Sequence, residues 1–216
     1  MQFDMDRVKE LVEVALTEPS TGDVWLEDRY QEDVPIIGHT NPYYKFFYLV
    51  AKEFKPSFSV ELGTYRGVTA GHLGVGNPDG IVYTIDWHRD SVDKVHQKCA
   101  IAMDGHYSNV HYLNGCSWDD AIVFQVAAMA DVRPIDILFI DAWHWYEHAI
   151  REWNLYRPLL ADEALVVCDD IFDNPTSTKD MAKFWDEVRD GYENFEHVGM
   201  LHQYHIPMGF VRFIRK

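Results

Sequence analysis

The sequence predicts an α/β fold: a doubly wound, mostly parallel seven-stranded sheet that closes with an antiparallel C-terminal strand pair. Three observations carry this. Compact apolar runs near 57–62, 81–86, 109–113, 135–141 and 164–169 alternate with longer helical segments, the pattern of parallel strands covered on both faces by helices. The first run passes through Gly63 and Gly67 into a helix, the layout of a strand–turn–helix ligand site. After residue 170 the alternation changes, and one helical segment near 177–189 precedes two strand-like runs at 195–201 and 208–214. Their short polar link implies an antiparallel pair at the sheet edge.

Ahead of the sheet, residues 4–17 place Val8, Leu11, Val12, Ala15 and Leu16 at helical spacing, with Asp4 and Asp6 near the positive end of the helix dipole. From 17 to 42 the chain is rich in turn formers and charges, yet Trp25, Tyr30, Pro35, Ile36 and Ile37 give it more apolar bulk than a solvated linker. Residues 1–42 therefore read as an N-terminal helix and a lid-like loop, and 43–216 as the main domain. With 216 residues and 47% hydrophobic content, one globular unit is expected.

The balance of 35 acidic against 19 basic residues, net charge -16, repels phosphate backbones and anionic lipid, so neither nucleic acid nor membrane is an expected partner. No run approaches the roughly 18 apolar residues of a membrane span. The start, Met-Gln-Phe-Asp-Met-Asp-Arg, lacks a signal-peptide profile, and a cytoplasmic protein is expected. Cys99, Cys116 and Cys168 are too few for a disulfide framework, and Cys168 reads as a small core residue.

The spacing Glu61-x-Gly63-x-x-x-Gly67 departs from the three-glycine turn that cradles a pyrophosphate, so no phosphate is implied. The second strand ends in Asp86, about 20 residues beyond the glycine turn, where a nucleoside-binding fold places a ribose ligand. A solvated strand-end aspartate is the competing reading. Trp87 and His88 follow and could flank the base. Strand four ends at Asp141 and strand five at Asp169-Asp170. Parallel strands end on one edge, so these three carboxylates can converge, and a hard divalent cation such as Mg²⁺ would relieve their repulsion. Capping of the following helices is the alternative role.

The stretch Glu61 to Ala70 resembles the first motif of S-adenosylmethionine-dependent methyltransferases, closest to the Glu-Leu-Gly-x-Tyr-x-Gly-x-Ser/Thr-Ala form of catechol O-methyltransferases. The resemblance implies a Rossmann-like class I fold, with Glu61 near the methionine amino group and Gly63, Thr64, Tyr65, Gly67 and Thr69 in the cofactor turn. It also implies a nucleoside end at Asp86 and Trp87, with Asp141 bordering the cofactor. Asn114-Gly115-Cys116-Ser117-Trp118 resembles the family's Gly-Asp-Ser turn; Cys116 stands in for the acid, which leaves Ser117 to address the adenine amino group. Family metal ligands match Asp141, Asp169 and Asp170, although catechol enzymes carry asparagine at the third place.

Asp141-Ala142-Trp143-His144-Trp145-Tyr146 looks like the Asp-Gly-x-His-x-Tyr of macrocin-type sugar O-methyltransferases, with alanine for glycine. By that resemblance His144 is the candidate base, with Asp141 beside it in the catalytic group. A neutral imidazole there could take a proton from a metal-acidified hydroxyl. The implied acceptor is a small-molecule hydroxyl, with Trp25, Tyr30, Trp143, Trp145 and Tyr204 as candidate pocket walls; a homo-oligomer is left open. Where relatives have Pro-Gly-Gly before strand five, this chain has Asp162-Glu163-Ala164, which puts that turn in doubt. Two rivals compete: a zinc hydrolase through His144-x-x-Glu147-His148, and a nucleoside-binding protein of the same fold without catalysis.

Overall fold

The computed structural model describes residues 2–17, 42–87, 101, 104–174, 178–201 and 204–216. Its strands are β1 (Phe58–Leu62), β2 (Ile81–Asp86), β3 (Val110–Asn114), β4 (Ile135–Ile140), β5 (Leu160–Cys168), β6 (Glu193–Leu201) and β7 (Tyr204–Ile214). They form one seven-stranded sheet in the order β3-β2-β1-β4-β5-β7-β6. β1 to β5 run parallel, and β7 is antiparallel to both β5 and β6, as the sequence pattern predicts.

The central strands are legible because they are buried on both faces: every residue of β1 and of β4 is buried, including Glu61 and Asp136. Along β4 the side chains alternate between two cores. Leu138 and Ile140 pack with α4 (Asp120–Ala130), α5 (Tyr146–Tyr156) and α6 (Met181–Arg189). Ile137 and Phe139 pack with α1 (Met5–Thr17), α2 (Pro42–Phe54) and α3 (Val68–Gly76). Helices on both faces make the sheet doubly wound.

α1 buries Met5, Val8, Leu11, Val12 and Ala15, one stripe at helical period. Leu16, expected on that stripe, falls to its side and is 38% exposed. β5 begins at Leu160 rather than near 164, and Asp162 and Glu163, which stand where relatives turn, are strand residues. Glu163 accepts from Arg212 Nε at 2.8 Å and from the Phe3 main-chain N–H at 2.7 Å, while Asp162 accepts from Arg215 Nε at 3.1 Å. Residues 18–41, with Trp25, Tyr30 and the rest of the lid-like loop, lie outside the described residues, as do His88 and Cys99. Cys116 and Cys168 are free and buried. Among the described residues no helix is long and apolar enough to cross a membrane.

Candidate functional site

The carboxyl ends of the parallel strands meet on one edge, and main-chain hydrogen bonds extend their register into the turns beyond. Gly63 N–H donates to Ile85 O at 2.9 Å, Asp141 N–H to Leu62 O at 2.8 Å, and Asp169 N–H to Ile140 O at 3.0 Å. The turn after β1 approaches the turn after β4 so closely that a Cβ at Gly63 would lie 2.1 Å from the Asp141 carbonyl oxygen. Gly63 also has φ +102°, and Gly67, at φ +79°, caps α3. At Gly63, glycine is required by protein backbone before any ligand is considered.

The turn and the strand ends enclose a cleft of about 330 Å³, within the range of small-molecule sites. Glu61, Gly63, Thr64, Tyr65, Thr69, Asp86 and Asp141 line it, beside His144 and Trp143. Glu61 accepts from the Thr84 hydroxyl at 2.6 Å, and the Thr64 hydroxyl lies 2.7 Å from that of Thr84. Burial pushes the Glu61 carboxyl well above its ordinary range, and Asp141 adds to this. Asp86 takes the Tyr65 N–H on Oδ2 and the Trp87 N–H on Oδ1, both at 2.7 Å, so it braces the glycine turn. Each carboxylate oxygen keeps lone-pair capacity for a further donor. Trp87 and Ser117 border a smaller adjoining pocket with Ile85, Cys116 and Trp143.

Asp141, His144 and Asp169 each offer a ligand atom, all within 4.8 Å of one another. His144 Nε2 lies 3.2 Å from Asp141 Oδ1, and its Nδ1 lies 2.8 Å from Asp170 Oδ2. Asp170, also expected as a metal ligand, lies against the far ring nitrogen of His144, on a backbone at φ +49°. Burial alone would lower the His144 pKa, but hydrogen bonds to Asp141 and Asp170 outweigh it and raise it to about 11. The two flanking acids therefore favour the charged form of the ring. Asp169 is pushed well above the carboxylate range, first by burial and then by Asp141 and Asp170, and its Oδ1 is buried without a hydrogen-bond partner.

The zinc-hydrolase geometry is not formed. His144 lies ahead of α5 and faces the acids, whereas His148 on α5 stacks on Trp118 with ring centroids 4.8 Å apart, and Glu147 is exposed. The two histidines do not share a helix face. Two residues at the site escaped the sequence reading. Tyr43, on α2, donates from its hydroxyl to Asp141 Oδ2 at 3.0 Å, and Glu152, on α5, is completely buried beneath Ser117. Neither stands in a strand-end motif; the one signal was an acid on the apolar face of α5.

A family model described as a methyltransferase domain matches residues 60–171, just over half of the chain. The chain is similar to uncharacterized protein R132 of Acanthamoeba polyphaga mimivirus, with 35% identity over 79 residues, 36% of this chain. The chain matches only 34% of that curated relative's length. Among solved structures it resembles the O-methyltransferase TomG of Streptomyces achromogenes, involved in tomaymycin synthesis and in complex with S-adenosylmethionine, at TM-score 0.67 and 15% identity over 99% of this chain and 100% of that one. It also resembles a Bacillus cereus O-methyltransferase in complex with S-adenosylhomocysteine, at TM-score 0.63 and 13% identity over 98% and 92%. The chain belongs to the methyltransferase domain family and has the fold of O-methyltransferases that bind S-adenosylmethionine.

Proposed function

We propose that the chain transfers the methyl group of S-adenosylmethionine to a hydroxyl oxygen of a small molecule, with a divalent cation assisting. The observation that carries this reading is the meeting of Glu61 and Asp86 along one cleft with Asp141, beside the Asp141–His144–Asp169 group. Glu61 suits the methionine ammonium and Asp86 the ribose hydroxyls, with Trp87 and Ser117 beyond Asp86 on the side where the base would lie.

The donor set suits a divalent cation. Asp169 Oδ1 is buried without a partner, and three carboxylates gather around one imidazole. Asp141 and Asp169 would hold Mg²⁺ or another divalent cation, with Asp170 or His144 adjoining. When bound, such a cation supplies positive charge that acidifies the acceptor hydroxyl. Asp170 holds His144 at Nδ1, which leaves Nε2 as the atom to take the acceptor proton once the imidazole is neutral. Tyr43 fixes the orientation of Asp141. The acids lining the cleft and the net charge of -16 favour a neutral or cationic small acceptor in the cytoplasm over nucleic acid or a membrane surface. Titration calorimetry with S-adenosylmethionine, with and without Mg²⁺, tests the reading: binding strengthened by the metal is expected, and no binding in either condition refutes it.

A further inference from the structure

α4 differs from the other two helices on its face of the sheet. α5 and α6 turn charged side chains to solvent, Glu147 and Arg151 on one and Lys183, Asp186 and Glu187 on the other. α4 is apolar all round: between Asp120 and Asp131 it carries no charged residue. Its inner face buries Ile122, Val126 and Ala130. Its outer face sets Ala121, Phe124, Gln125, Ala128 and, just past the helix end, Val132 in one stripe at helical period. All five are exposed, Phe124 at 73% and Val132 at 77%. The polar member, Gln125, turns its amide back to the Ala121 carbonyl at 3.2 Å. A helix that is apolar on every side is ordinarily covered on every side.

We propose that this stripe is the contact between two copies of the chain, paired antiparallel about a two-fold axis that passes between Phe124 and Ala128. The stripe is self-complementary in that arrangement: the large Phe124 of one copy meets the small Ala128 of the other, and the contact repeats across the axis. The charges at its ends agree. α4 opens on Asp119 and Asp120 and runs out through Asp131 to Arg133, all exposed. Antiparallel pairing brings the acidic start of each helix beside Arg133 of the second copy, whereas parallel pairing would set like charge against like. Among the described residues Arg133 is the one arginine with neither an ion pair nor an aromatic ring against its guanidinium. Each copy carries a net charge of -16, so two copies repel over most of their surface, and an uncharged stripe is where they approach at least cost. One helix stripe is smaller than the roughly 800 Å² per partner of a standard interface, so the dimer is weak and concentration-dependent. None of these residues lines the cleft, and the inference does not depend on the methyl-transfer reading.

Sedimentation velocity over a concentration series tests this on the full chain. A reversible dimer is expected, half formed in the micromolar range. Phe124→Glu and Ala128→Glu should each weaken it by about tenfold or more, because each sets two like charges at the centre of the contact. Both positions face solvent, so neither change should lower the Tm of the dilute monomer. Arg133→Asp should weaken the dimer by about threefold to tenfold. Adding Asp120→Arg should restore it, since in a symmetric pair the double variant carries the same ion pairs reversed. A chain that stays monomeric up to about 1 mM overturns the proposal and leaves the stripe to a different partner. A dimer that survives both Phe124→Glu and Ala128→Glu forms elsewhere and overturns it equally, and one that Arg133→Asp leaves unchanged overturns the antiparallel pairing.

Discussion

Replacing Gly63 with alanine should destabilise the protein and damage the site together. The added Cβ would lie 2.1 Å from Asp141 O, 2.6 Å from Asp141 C and 2.9 Å from Ala142 Cα, all main-chain atoms that no rotamer change can clear. Relief requires the turns after β1 and β4 to separate by about 1 Å, an overpacking cost of about 1–3 kcal/mol. The backbone at φ +102° adds about 1–2 kcal/mol for any residue with a Cβ. Together these give roughly 2–5 kcal/mol, which for a chain of this size is a fall in Tm of roughly 4–20 °C. Differential scanning calorimetry measures it, with Gly105→Ala as control, because a Cβ there meets nothing within 4 Å. Since the displaced atoms belong to Asp141, S-adenosylmethionine and cation binding should weaken in the same variant. A Gly63→Ala protein melting within about 2 °C of the native one would refute the claim that the two turns are held at contact distance.

Asp169→Asn should remove any stabilisation that Mg²⁺ or Mn²⁺ gives in a thermal shift assay; a shift that survives would take Asp169 out of the cation site. His144→Ala should lower kcat at saturating substrates by about 10²–10⁴-fold, and an unchanged rate would remove His144 from the mechanism. Burial raises the Glu152 pKa from 4.5 to about 8, so the folded state binds a proton that the unfolded state has lost across that window, and stability falls as pH rises through it. Glu152→Gln should therefore gain stability relative to the native protein between pH 5 and about 8, read as a difference in Tm, and a difference independent of pH would contradict the assignment. Burial lowers the His72 pKa from 6.5 to about 4, the opposite sign, so stability should drop as pH falls from 6.5 towards 4, and His72→Phe should blunt that drop in acid denaturation.

The parts legible in the sequence are those set by local pattern. β1 and β4 read clearly because strands buried on both faces are near-continuous apolar runs. Asp86, Asp141 and Asp169 could be placed on one edge because parallel strands end together. The start of β5 was illegible, since Asp162 and Glu163 become strand residues only through Arg215, Arg212 and the Phe3 N–H, partners at least 49 residues away. Tyr43 and Glu152 were missed for a related reason: they come from helices, where the face a residue presents to the site depends on how the helix docks. Asp170 was placed at the end of β5 beside Asp169, but its contact with His144 Nδ1, on a backbone at φ +49°, carries no sign in the spacing.

The acids on this edge are held by different partners, and the difference bears on which of them can serve a cation. Asp86 is satisfied by two main-chain N–H groups that belong to the fold and do not leave. Glu61 is buried against Thr84, where its neutral form is favoured. Asp141 and Asp170 both face the ring of His144, and Asp169 is pushed by burial toward its neutral form with an oxygen left unpartnered. These last arrangements are reversible by loss of a proton, from His144 or from Asp169. Asp141 and Asp169 are therefore the acids that would hold a divalent cation, its positive charge favouring their ionised forms, whereas Asp86 stays committed to the glycine turn.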